Sequence, residues 1–257
     1  MTTTIARAWR VPPATRAGLA ERGPIDSELW DSRLRVDRAR ALENSLNVEV
    51  RRIASVVEER SRALGAEAVV LTGSTARRRR TPVSDLDFHV IGARPQVDDL
   101  PADLDLLSDS SADFAEKLER GDDFAHWTVR YGCVLFDTGV MREMTAHVAS
   151  HVLWPDPERK LRQARRTLEF AEQLVESGDY AASLEQVRGA LSLTARWWLL
   201  AHDVFPLARD ELSEQLTGVG EGADQPVLAR TLHDTIHQRP DSAALTAAIA
   251  QARSLTG

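Results

Sequence analysis

Glu67-Ala68-Val69-Val70-Leu71-Thr72 is a short apolar run that stops at Gly73, and Ser74-Thr75-Ala76-Arg77 behind it has the small, helix-compatible residues of a helix start. The pattern predicts a strand, a tight turn and a helix N-terminus. Such a terminus points backbone N–H groups at whatever lies before it, and glycine lets a ligand come close to the backbone, so a triphosphate is well placed there with the Ser74 hydroxyl as an added donor. A second run, Asp85-Leu86-Asp87-Phe88-His89-Val90-Ile91, stands between the turn residues Thr81-Pro82-Val83-Ser84 and Gly92 and reads as another strand. Residues two apart on a strand share a face, about 6.6 Å apart at roughly 3.3 Å per residue. Asp85 and Asp87 are therefore expected to face one site. Two carboxylates so placed repel unless a cation joins them, and hard oxygen ligands select Mg²⁺ or Mn²⁺.

Gly73-Ser74, ten intervening residues and then Asp85-Leu86-Asp87 in an apolar strand resemble the signature of the DNA polymerase β-like nucleotidyltransferase superfamily. The likeness is greatest to the aminoglycoside (kanamycin-type) nucleotidyltransferases and the minimal nucleotidyltransferases with a C-terminal helical domain. It spans roughly residues 40 to 140, and Arg78 stands where the family pattern has a further glycine. The resemblance implies an α/β (α+β) nucleotidyltransferase domain with a small mixed sheet, followed by an α-helical bundle. It also implies a third carboxylate on the next strand, where Asp103 and Asp105 alternate with apolar residues; Asp105 is favoured, with Asp103 as its substitute.

The implied chemistry is Mg²⁺-dependent transfer of a nucleoside monophosphate, AMP from ATP in the leading reading, to a hydroxyl of a small polar acceptor such as an aminoglycoside. Asp85 and Asp87 would bridge two cations, and Asp105 would bind the one nearer the acceptor or take the hydroxyl proton. Gly73, Ser74 and Arg77 would hold the triphosphate, while Arg78, Arg79 and Arg80 read as solvated. Arg209, in Phe205-Pro206-Leu207-Ala208-Arg209-Asp210-Glu211, resembles a basic residue that the family's helical domain presents to the nucleotide. The alternatives are AMP transfer to a protein, as in toxin–antitoxin pairs, and a non-catalytic NTP-binding module.

The remaining candidates have plainer readings. His89 shares strand parity with the acids and is expected as a hydrogen-bonded core histidine. Asp98, Asp99, Asp109 and Asp113 belong to an acid-rich region that reads as solvated. Arg196 and His202 match the loose Arg-x(4 to 6)-His pattern of HEPN ribonucleases, which any such pair on neighbouring helical turns satisfies. Cys133, the only cysteine, excludes internal disulfides and thiolate metal clusters and is expected in the core of a strand.

A chain of 257 residues with 43% hydrophobic content can bury a proper core in one or two domains. Its formal net charge of −7 argues against bulk nucleic-acid binding and suits a cationic acceptor. The N-terminal residues show no apolar stretch of signal-peptide or membrane length, so a cytoplasmic protein with no membrane contact is expected. Whether two chains pair as a homodimer is left open.

Residues 1–33 read as an irregular arm, 34–145 as the nucleotidyltransferase domain and 146–257 as the helical bundle. Val36 to Val57 carry apolar residues at helical spacing. The first domain closes over Trp127 to Asp137, ending in an apolar strand. Leu161, Ala164, Leu168, Ala171 and Val175 form one stripe, ended by Gly178, and Tyr180, Leu184, Val187, Leu191 and Trp198 another. Shorter helices are expected near 208–217, 226–236 and 241–254, with Trp197 and Trp198 as packing residues.

Overall fold

The computed structural model describes residue 16 and residues 48–77, 79–80, 84–100, 103–219, 225–237 and 242–256. They fall into two compact units that divide at Pro155/Asp156, so the expected boundary at 145 lies inside a helix of the first unit. Most of the expected arm and the helical pattern of 34–47 lie outside the described residues. Arg16 belongs to the second unit; it is helical, and its N–H donates to the Asp203 carbonyl of that same unit at 3.2 Å.

The first unit runs α1 (Val48–Ala63), β1 (Ala68–Leu71), α2 (Gly73–Ala76), β2 (Leu86–Ile91), β3 (Leu104–Asp109), α3 (Ser111–Glu119), α4 (Asp123–Tyr131), β4 (Cys133–Asp137) and α5 (Val140–Ser150). The strands make one four-stranded mixed sheet in the order β3-β2-β1-β4. β1 is antiparallel to β2 and β4, and β2 is parallel to β3 with Asp87 opposite Asp105. The unit is thus the mixed α/β fold expected from the sequence.

Strand alternation decides which side chains meet. Ala68, Val70, Ile91 and Val134 turn one face of the sheet onto Phe114 and Leu118 of α3, Ala125 and Val129 of α4, and Val140, Met141 and Val148 of α5. Each fully buried Val, Leu, Ile, Phe or Met side chain among them contributes about 1.5–3 kcal/mol. His89, Asp87, Asp105 and Asp109 share this face by register. The helices over it start on side-chain caps: Ser110 accepts the Asp113 N–H, Asp122 accepts the Phe124 and Ala125 N–H groups, and Asp137 accepts from Gly139, Met141 and Arg142. Trp127 to Tyr131, read from the sequence as part of the closing stretch, belong to the amphipathic helix α4; only Cys133–Asp137 is strand, with Cys133 buried in it.

The second unit contains α6 (Pro157–Glu176), α7 (Tyr180–Ala201), a 3₁₀ turn (Arg209–Glu211), α8 (Leu212–Val219), α9 (Gln225–His237) and α10 (Ser242–Thr256). Asp156, followed by Pro157, caps α6, and Asp179 caps α7 after Gly178 turns the chain at φ +82°. The stripes meet as expected: Leu168, Ala171, Val187, Leu191 and Trp198 are buried together with Leu212, Leu216, Leu228, Leu232 and Ile249, while Tyr180 is exposed. Trp198 stacks on His202 at 3.8 Å, and Trp197 packs beside the core. No described helix is long and apolar enough to cross a membrane.

Candidate active site

The glycine at the end of β1 is required by what lies against it. Gly73 has φ +65°, and a Cβ built on it would fall 1.8 Å from Asp87 Oδ2 and 2.7 Å from its Cγ. The space that the sequence pattern reserves for a ligand near the backbone is therefore taken, on this side of the turn, by the Asp87 carboxylate. Thr72 fixes the approach: its N–H donates to the Asp87 carbonyl at 2.8 Å and its hydroxyl to the same oxygen at 3.2 Å. Ser74 is half-buried in the first turn of α2, and its carbonyl accepts the Arg79 N–H at 2.8 Å.

Asp87 and Asp105 are register partners on the parallel pair β2–β3, a spacing of about 4.8 Å between neighbouring strands. Burial of the half-buried Asp87 raises its pKa, and the charges of Asp105 and then Asp85 push it further the same way. Asp85 itself is exposed and precedes β2, which begins at Leu86. The expectation that Asp85 and Asp87 project from one strand is corrected accordingly; Asp85 reaches the site from the connection before it. Asp103 lies in the turn before β3 and accepts from Arg80 Nη2 at 3.1 Å, while the same guanidinium donates to the Ser84 carbonyl at 3.0 Å. Arg80, read as solvated, thus holds the loop edge, and Asp103 is the acid with a cation of its own.

Among the described residues no ion pair or hydrogen bond occupies the side chain of Asp85, Asp87 or Asp105. No three His, Cys, Asp or Glu groups among them are gathered into a metal-ligating arrangement either. The donor set nonetheless suits a hard divalent cation: oxygen-only ligands, one of them with its charged form disfavoured by two like charges, a penalty that a bound Mg²⁺ or Mn²⁺ reverses. Arg77 is buried, with its guanidinium over the Tyr131 ring at 5.2 Å, so it packs behind the turn. Arg209 is exposed in the 3₁₀ turn of the second unit. Arg196 Nη2 donates to the Leu207 carbonyl, and His202 Nδ1–H donates to the Trp198 carbonyl. Both serve backbone acceptors.

Farther along the same strand face, the chemistry changes. His89 is fully buried between Phe114 and Phe124, and burial lowers its pKa to about 4 against the partly opposing pull of Asp109. The neutral ring donates Nε2–H to Asp109 Oδ2 at 3.1 Å and has the Thr128 hydroxyl 3.2 Å from Nδ1. Lys117 Nζ donates to the other Asp109 oxygen at 2.6 Å. Asp109, read from the sequence as one of several solvated acids, is an enclosed structural carboxylate. The signal available for it was its place at the end of β3, two residues before an apolar helix carrying Lys117.

No protein-family model matches the chain, and no curated protein matches it. Among solved structures it is similar to a nucleotidyltransferase-like protein from Exiguobacterium sibiricum 255-15, with a TM-score of 0.41 and 16% identity over 79% of this chain and 72% of that one.

Proposed function

We propose that the first unit is the catalytic core of a metal-dependent nucleotidyltransferase that moves AMP from ATP to a hydroxyl of a small, polar, cationic acceptor such as an aminoglycoside. The reading rests on the acids and the turn, not on the structural likeness. The observation that carries it is the Asp87–Asp105 register pair, crowded by Asp85 and backed without an intervening side chain by Gly73. Like-charged groups held together without a counter-ion cost stability, and such an expense is commonest where function requires it.

In this reading Asp85, Asp87 and Asp105 hold Mg²⁺ or Mn²⁺, which when bound neutralises phosphate charge and polarises the reacting phosphoryl group. Backbone N–H groups of the Gly73–Ser74 turn and the Ser74 hydroxyl receive phosphate oxygens, and the buried Arg77 adds positive potential behind them. Asp105 takes the proton of the acceptor hydroxyl. That oxygen forms a bond to the α-phosphorus as the bond to the bridging oxygen breaks and pyrophosphate leaves. The net charge of −7 favours a cationic acceptor.

The test is a transfer assay with Mg²⁺ and each α-labelled NTP, offered aminoglycosides, other amino sugars and cell lysate. Label on a small molecule supports the proposal, and label on a lysate protein moves the acceptor to the protein class. Tight ATP binding without label on anything leaves only an NTP-binding module and overturns the enzymatic reading.

A further inference from the structure

We propose that Leu107 and Phe124 form a platform beside Asp105 on which the acceptor lays an apolar ring face. The inference rests on the transferase reading above and narrows its acceptor to a cyclic amino alcohol such as an amino sugar. On β3, Asp105, Leu107 and Asp109 alternate along the face that also carries Asp87 and His89. Leu107 is thus a leucine between two acids, opposite His89 in register, and it is 39% exposed. Phe124, in the first turn of α4, is 38% exposed with its ring 5.2 Å from that of His89. Both apolar side chains therefore border one fully buried imidazole, Leu107 from the neighbouring strand and Phe124 from the helix packed on the sheet. A single exposed leucine or phenylalanine is ordinary; two meeting at one point on the face of the acids make a surface for a ligand.

Sheet order decides which ligand. β3 is the outer strand, β2 lies inside it, and the Gly73 turn follows β1 on the far side of β2. Asp87 on β2 accordingly separates the turn from Asp105 and Leu107. With phosphates at the turn, the occupant of the β3 side is the molecule whose hydroxyl meets Asp105. Leu107 lies two residues beyond Asp105, about 6.6 Å along the strand at roughly 3.3 Å per residue, so a ring seated on the platform carries one of its own hydroxyls to that carboxylate.

Charge agrees with this occupant. Asp105 is exposed on the strand, and Asp122, the cap of α4, accepts the N–H of Phe124 itself at 3.1 Å. The ammonium of Lys117 on α3 is already matched to Asp109. An apolar surface set among carboxylates suits a molecule with a C–H-lined ring and ammonium groups at its edge, and the face of a phenyl ring also attracts ammonium.

The experiment is titration and saturation-transfer NMR of the full-length protein with kanamycin, alongside spermine as a polycation without a ring. Saturation is expected to reach the ring C–H protons of kanamycin, and its affinity to fall about tenfold in Leu107→Asn and in Phe124→Ala, as loss of one buried apolar side chain implies. Phe124→Tyr should restore it, while spermine and ATP affinities stay unchanged throughout. Melting curves matching the unsubstituted protein establish that the variants fold. The proposal is overturned by no transfer to the ring protons, by unchanged kanamycin affinity in either variant, by an equal loss for spermine, or by a loss of ATP affinity, which would seat the base there instead. Ring binding without transfer of label removes the transferase reading and leaves the platform. Labelled product with an unmoved acceptor KM in both variants removes the platform and leaves the reading.

Discussion

Two ends of one strand face treat carboxylates in opposite ways. At the far end Asp109 is enclosed, with its side chain 9% exposed, and both oxygens are matched by Lys117 and the neutral His89. At the near end Asp87 is half-buried beside Asp105 and Asp85, three acids without a cationic partner among the described residues. The first arrangement satisfies its charge for the sake of the fold, whereas the second leaves its charges unmatched among the described residues, which is where the proposed function would seat a cation. Burial alone therefore does not distinguish a structural acid from a candidate catalytic one. The identity of its neighbours does.

The sharpest way to break this contrast is Asp87→Asn. Transfer activity is expected to fall about 10³-fold or more, equivalent to roughly 4 kcal/mol, while the metal-free melting temperature stays level or rises because a repelled charge is gone. A fall in both would make Asp87 a structural acid like Asp109. Acid stability probes the other end. His89 and His126 are both held neutral, with pKa lowered to about 4, in each case chiefly by burial; for His126 the nearby Arg130 charge adds to it. Above the unfolded value of 6.5 neither state binds the proton; between 6.5 and about 4 the unfolded chain binds it and the folded chain does not. Stability is therefore expected to drop on acidification across that window, by about 3 kcal/mol per histidine from the linkage relation, and to level off for these groups below it. Chemical denaturation as a function of pH reads this directly, and replacing His126 should flatten the slope.

Smaller effects separate the neighbouring positions. Asp109→Asn should cost about 2–3 kcal/mol in denaturant melts by stripping Lys117 and His89 of their shared acceptor. Gly73→Ala should cost about 1–3 kcal/mol, because a side chain there meets both an unfavourable φ and the Asp87 carboxylate, and should also impair transfer. Asp103→Asn, which removes only the partner of Arg80 at a half-exposed position, should change stability by less than about 0.5 kcal/mol and leave activity near its starting value. An activity loss there equal to that of Asp105→Asn would reverse their assignments.

Much of this was readable from residue order. Period-two alternation identified β2 and β3, and apolar stripes identified α6 and α7, because both patterns follow from which side chains must be buried. Register was not readable. A parallel pair sets Asp87 opposite Asp105 and leaves Asp103 to Arg80, and no local pattern distinguishes those acids. Asp85 was assigned to the strand because Ser84-Asp85 runs into it without a break, yet the first ladder residue is Leu86, whose N–H donates to the Asp103 carbonyl. Tertiary packing also decided Trp127 to Tyr131: their residue types suit a strand, but Asp122 caps a helix there and Phe114 and Leu118 receive its apolar face.

The bare α-carbon of Gly73 makes the turn and the acid touch directly, so displacement of either shifts the other. With nucleotide at the turn and a cation at the acid, as proposed, this contact is expected to link the two, and whatever factor one changes in the other's affinity is returned equally. A titration of nucleotide at rising Mg²⁺ would show that mutual dependence as a moving midpoint, and inserting a single methyl group at residue 73 should uncouple the pair.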